Sequence, residues 1–217
     1  MSAAREEILA RIRVALRDVP EAERPEDVAV PRTYRHQSSE PAGALVERFA
    51  ERLREYRADV ERVSAGAVAQ AVERACARWR LRHLVVAPAL PEAWRPRGVA
   101  LVDDTGLTAS DLDDIDGALT GCALAIAETG TIVLDGQGSS GRRAITLIPD
   151  HHICVIEAAQ VTGSVPEAVA ALAEAVTRRR APITMVSGPS ASSDIELTRI
   201  EGVHGPRHLL ALVVDGR

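Results

Sequence analysis

The sequence predicts an α/β domain built on a mostly parallel sheet with helices on both faces, preceded by an N-terminal helical arm. Two observations carry this. From Pro41 onward, short β-branched apolar runs alternate with Ala-rich helical stretches, the pattern of strands joined by crossover helices. A chain of 217 residues with 46% apolar and 26% charged residues is also enough for one core of ordinary size.

The first element is a helix over residues 2–17, with Ile8, Leu9, Ile12 and Leu16 at helical spacing, Ser2 as its cap, and Glu6 and Glu7 in the first turns. Residues 19–40 hold Pro20, Pro25 and Pro31 among charges and few large apolar residues, so they form an extended connector. The expected organisation is an arm and linker over 1–40 and an α/β domain over 41–217. An arm that cannot bury its stripe alone must dock on its own domain or on another subunit, which leaves a homo-oligomer open.

Within the domain, a helix is expected over 42–57, a strand at 59–63, a helix over 66–79, and strands at 83–87 and 99–102. The run Leu119 to Leu134 reads as two strands meeting at Glu128-Thr129-Gly130, with a glycine-rich loop at 135–141 behind them. A strand at 152–157, a helix over 165–177 and strands at 183–187 and 209–214 complete the series.

Composition removes several classes of function. All 26 basic residues are Arg and face 31 acidic ones, for a net charge of −5, so no global positive field is available for a nucleic acid. Without lysine, Schiff-base chemistry and a lysine-bearing phosphate loop are excluded. Aromatic residues are only 2% of the chain, which disfavours base-stacking platforms. Cys76, Cys122 and Cys154 are odd in number, widely spaced and set in apolar runs. They fit a reduced cytoplasmic protein and offer no frame for a cluster or structural zinc. His204 and His208 have i, i+4 spacing, but Gly205 and Pro206 break a helix there, and His151-His152 reads as the start of a strand. No metal and no cofactor are expected. The first residues carry acidic side chains among basic ones, unlike a signal peptide, and no run approaches the roughly 18 apolar residues of a membrane span.

Three loops concentrate polar chemistry. In Ala127-Glu128-Thr129-Gly130-Thr131 a carboxylate sits between apolar strands beside a turn glycine and two hydroxyls. It reads either as a plain turn or as a site with Glu128 as general base or nucleophile. The loop from Gly136 to Arg143 joins backbone donors and hydroxyls to two fixed positive charges, a combination that cradles a phosphate or carboxylate. The loop from Ser187 through Gly188, Pro189 and Ser190 to Asp194 and Glu196 clusters hydroxyls behind a strand, and His204-Gly205 follows. Arg143 is the natural anchor for an anion held jointly with Thr129, Gly130, Thr131, Gly188, Pro189 and Ser190; alternatively it pairs with Asp194 or Glu196 and ties two loops together. A triad of Ser190, His204 and Asp194 lacks the nucleophile-elbow pattern.

Four ordered motifs together resemble the LUD-domain family, specifically its lactate utilisation protein C branch. They are Ala127 to Thr131, Arg143-Ala144-Ile145-Thr146-Leu147-Ile148-Pro149, Ser187 to Ser190 with Ser193-Asp194-Ile195-Glu196, and Gly202-Val203-His204-Gly205-Pro206-Arg207. The resemblance implies a fold similar to the sugar-phosphate isomerase and CoA-transferase superfamily. It also implies a cytoplasmic role beside two iron–sulfur subunits that oxidise L-lactate to pyruvate, with this chain as the cluster-free subunit binding a small carboxylate or acyl anion. By analogy with related CoA transferases, whose nucleophile is a glutamate, it points to Glu128. The competing readings are a stand-alone enzyme on a phosphosugar or CoA thioester, and a regulatory module that senses lactate.

Overall fold

A computed structural model describes residues 3–20, 22–24, 27, 29–31, 33–192, 200–202 and 204–215. Residues 1–34 and 35–217 form two separate compact units. In the first, helix α1 (Ala3–Ala15) falls within the expected 2–17, its Ile8 and Ile12 are exposed, and Glu7 pairs with Arg11 one turn on. Its expected cap, Ser2, lies outside the described residues.

The second unit includes part of the expected connector. Arg35 faces Glu128, the Ser38 N–H donates to Glu167, and Glu40 pairs with Arg48. Among the described residues four α-helices follow: α2 (Ala42–Glu55), α3 (Val68–Trp79), α4 (Ala109–Asp113) and α5 (Val165–Thr177). The strands are β1 (Asp59–Val63), β2 (His83–Val86), β3 (Ala100–Asp103), β4 (Gly117–Thr120), β5 (Leu124–Ile126), β6 (Thr131–Leu134), β7 (His151–Glu157), β8 (Val161–Thr162), β9 (Thr184–Val186), β10 (Ala191–Ser192), β11 (Ile200–Glu201) and β12 (His208–Val214).

Six strands make a wholly parallel sheet in the order β1-β12-β7-β4-β2-β3. Its two faces are read off β7. Ile153 and Val155 point to one side, where α3 buries Val68, Ala71, Val72, Ala75 and Cys76 at i, i+3, i+4, i+7 and i+8. Cys154 and Ile156 point to the other, where α2 buries Val46, Phe49 and Leu53. Full burial of Phe49 and Leu53 contributes roughly 2 to 3 kcal/mol each. Further along that second face, Leu112 of α4 and Ile145 cover Val85 and Ala118.

The fold class is as expected, with one added layer. A second, mixed sheet, β8-β5-β6-β9, also packs on the second face through Ala125, Ile132 and Leu134. Its outer side, Leu124, Ile126 and Val133, is covered by Ala168 and Leu172 of α5. The stretch 119–134 therefore contributes to three strands rather than two. The break comes at Gly121, whose N–H donates to the Ser139 carbonyl at 2.8 Å, so the chain leaves the parallel sheet after Thr120 and starts the mixed one at Leu124.

Candidate anion-binding cleft

A cleft of ≈ 510 Å³ opens beside the N-terminal ends of β7 and β12. His152 and Leu209, register partners on those strands, line its inner wall. Thr184 to Val186 of β9, the loop from Ser187 to Ala191, residues 204–206, Tyr56, Arg143 and Thr146 make the rest. The cleft thus lies at the amino ends of these two strands, opposite the carboxyl-end crevice usual in open parallel sheets.

The outer loop is held by its own backbone. The Ser190 N–H donates to the Pro206 carbonyl at 2.8 Å, the Gly202 N–H to the Ser190 carbonyl at 2.9 Å, and the His204 N–H to Ser190 Oγ at 2.9 Å. Gly188 is required where it stands: its φ is +148°, and a Cβ there would lie 2.7 Å from the Tyr56 Cβ and 2.8 Å from the Tyr56 carbonyl oxygen.

Arg143 enters from a 3-10 turn, Arg143–Thr146. Its Nη1 donates to the Thr146 carbonyl at 2.8 Å and to Thr146 Oγ1 at 3.2 Å, and Nη2 lies 3.5 Å from the His204 carbonyl. No carboxylate pairs with it among the described residues. Burial lowers its proton affinity. Among the described residues the partly desolvated charge is met only by neutral oxygens. Across the cleft His152 is 2% exposed, with Nε2 2.8 Å from Thr120 Oγ1. Burial, reinforced by the charge of Arg143, pushes its pKa down to about 4, so the ring is neutral at pH 7.

The structure thus brings Arg143, Gly188, Pro189, Ser190, His204 and Gly205 together. Thr129 and Thr131 reach the rim through hydroxyls: Thr129 Oγ1 is 2.7 Å from Thr131 Oγ1, which is 2.8 Å from Ser187 Oγ. Gly130 packs on the backbone of α2 instead. Glu128 is 43% exposed, 3.6 Å from Arg35, and does not line the cleft. Asp194 and Glu196 lie outside the described residues. The glycine-rich loop is divided: Gly136, Gln137, Gly138, Gly141 and Arg142 border a separate hollow of ≈ 260 Å³ with Pro88, Asp104 and Gly106, beyond β2 and β3. His152, Tyr56, Thr146 and Thr184 were not anticipated. Only His152 left a signal, as a polar residue in phase with the inward-facing Cys154 and Ile156.

Among the described residues no group of three or more His, Cys, Asp or Glu side chains is placed to hold a metal ion, and no helix is long and apolar enough to cross a membrane.

These features fall within a known family. A model of the LUD domain matches residues 46–214, and the chain belongs to that family. A protein of Deinococcus radiodurans named lactate utilization protein C is 45% identical over 175 residues, covering 78% of this chain and 79% of the relative. A Shouchella clausii protein of the same name is 31% identical over 120 residues, 54% of this chain and 47% of its own length. The crystal structure of a DUF162 family protein from Deinococcus radiodurans superposes with a TM-score of 0.70 at 36% identity, covering 81% of this chain and 99% of the other.

Proposed function

We propose that this chain serves lactate utilisation in the cytoplasm as an anion-binding partner of iron–sulfur subunits that oxidise lactate to pyruvate, and that the Arg143 cleft holds a small carboxylate or acyl anion. The observation that supports it most is Arg143 itself. A partly buried guanidinium that among the described residues meets only hydroxyl and carbonyl oxygens gains a charge-assisted, two-pronged bond when a carboxylate arrives. The names of the relatives support a role in lactate utilisation. The three dispersed cysteines give no ligand spacing for a cluster, which is consistent with electron transfer being left to the partners in this reading.

One observation favours a second reading. A cleft of ≈ 510 Å³ has room for far more than a three-carbon acid, so an acyl thioester or phosphosugar is the competing ligand.

Calorimetric titration of lactate, pyruvate, phosphate and CoA into wild type and Arg143→Ala separates these. One of the anions binds wild type, and Arg143→Ala weakens it by roughly 2 to 4 kcal/mol. Equal affinities in both proteins, with only the melting temperature lowered, would assign Arg143 to structure. The pathway is tested by deletion in a strain lacking other lactate dehydrogenases: growth on L-lactate is lost and growth on glucose persists, and normal lactate growth removes the proposal.

A further inference from the structure

Among the described residues His152 is the one ionisable side chain of the cleft wall that faces the sheet core rather than a loop, and it is not satisfied by the fold alone. Its Nε2 is engaged with Thr120 Oγ1, which leaves Nδ1 without a hydrogen-bond partner among the described residues. The neighbouring positions in phase, Cys154 and Ile156, are ordinary core residues, so packing does not call for an imidazole here.

A neutral imidazole has one nitrogen that donates and one that accepts, and a threonine hydroxyl does either. When Thr120 donates to Nε2, Nδ1 carries the proton and donates. When Nε2 donates to Thr120, Nδ1 accepts. Rotation of the hydroxyl and a change of tautomer exchange the two, so Nδ1 can meet either a carbonyl oxygen or a hydroxyl proton.

We propose that His152 reads the oxygen on C2 of a carboxylate anchored by Arg143, so that the cleft selects 2-hydroxy and 2-oxo carboxylates over acids with only hydrogen at C2. The inference rests on the anion-site reading above and adds the residue that sets its specificity. A 2-hydroxyl donates to the Nδ1 lone pair, and a 2-oxo group accepts from Nδ1–H. A plain methylene covers this ring nitrogen without pairing it, and sites built around a hydrogen bond reject analogues that lack it.

The test titrates L-lactate, pyruvate and propionate into wild type, His152→Phe and Arg143→Ala by calorimetry. In wild type, lactate and pyruvate bind roughly tenfold or more tightly than propionate. In His152→Phe the three acids converge to within about twofold of one another, at the affinity of propionate, and Arg143→Ala weakens all three together. Ring-nitrogen NMR of the wild-type protein gives an answer independent of any variant's folding: the His152 Nδ1 resonance moves with lactate and pyruvate and stays in place with propionate. Equal binding of the three acids by wild type, or an Nδ1 resonance indifferent to the 2-oxygen, overturns the role of His152 and leaves the anion site standing. Binding of none of them overturns both.

Discussion

Arg142 grips Asp104 with two parallel bonds, Nε to Oδ2 at 2.7 Å and Nη2 to Oδ1 at 2.8 Å, between residues 38 positions apart. Its neighbour Arg143 turns to the cleft beside β7 and β12 instead. The divergence is local geometry: Arg142 is extended, at φ −71° and ψ 153°, and the 3-10 turn begins at the next residue. One guanidinium is therefore tied to a buried carboxylate and the other meets hydroxyl and carbonyl oxygens at the cleft wall.

The pair is asymmetric, which sets the order of its mutational effects. The Asp104 side chain is 2% exposed, while that of Arg142 is 39% exposed. Arg142→Ala strands a buried carboxylate and lowers stability by about 3 to 5 kcal/mol; Asp104→Ala lets the arginine turn to water and costs about 1 to 3 kcal/mol. Hydrogen bonding to Arg142 holds the Asp104 carboxyl below its usual range. Its contribution is thus complete above the unfolded-state pKa, near 4, and is lost as pH falls through the depressed folded value. Urea unfolding of both variants checks this, and a larger loss in Asp104→Ala would contradict it.

His152 makes stability depend on pH in a higher window. Its pKa is about 4 when folded against 6.5 in the open chain, so below pH 6.5 the unfolded state takes up a proton that the folded state refuses. About 3 kcal/mol is lost between pH 6.5 and 4. Burial also lowers the pKa of His151, so the measurement is the difference in acid-side slope between wild type and His152→Phe. Identical slopes would place the titration elsewhere.

Gly130 joins the hydroxyl turn to α2 at a spacing that admits no side chain. Its φ is +59°, and a Cβ would lie 2.6 Å from the Leu53 backbone nitrogen and 2.7 Å from the Arg52 carbonyl carbon. Gly130→Ala destabilises by roughly 2 to 4 kcal/mol. Gly138, at φ +50° with open space around it, serves as the control, because Gly138→Ala costs only the left-handed backbone term of about 1 to 2 kcal/mol. Equal melting temperatures for the two variants would remove the steric argument.

The three thiols are inert in the native protein. All are buried; desolvation pushes the Cys76 pKa up to about 11, and Cys122 is raised by its contact with Cys154 and by burial. A disulfide reagent at pH 8 therefore labels no thiol rapidly in the folded chain and three in urea. Fast labelling of any one of them without denaturant would show an opening that the packing does not allow.

The long helices were legible because their buried faces recur within a few residues, as Val46, Phe49, Ala50 and Leu53 do in α2. Strands β7 and β12 were legible as unbroken apolar runs. The partition of strands between two sheets was not, since Leu124 to Ile126 reads the same whether its neighbour runs parallel or antiparallel. Short pieces such as α4 and β8 carry too few residues to show a period. Of the cleft, the Arg143, Gly188-Pro189-Ser190 and His204-Gly205 segments stood out as polar motifs, whereas Tyr56 and Thr184 reach it only through tertiary packing.

By itself the sequence determined the long helices α2, α3 and α5 and the strands β7 and β12, that every fixed positive charge is an arginine, and that the cysteines have no ligand spacing. Those properties are local, set by side-chain chemistry and by periods of two or 3.6 residues. Only the tertiary structure decided that Asp104 takes Arg142 and leaves Arg143 to the cleft, and that Thr120 lies 2.8 Å from His152. Hydrogen bonds and ion pairs depend on distances of about 3 Å between atoms, and across 38 and 32 residues of chain those distances are set by the register of β4 on β7 and the turn at Arg143.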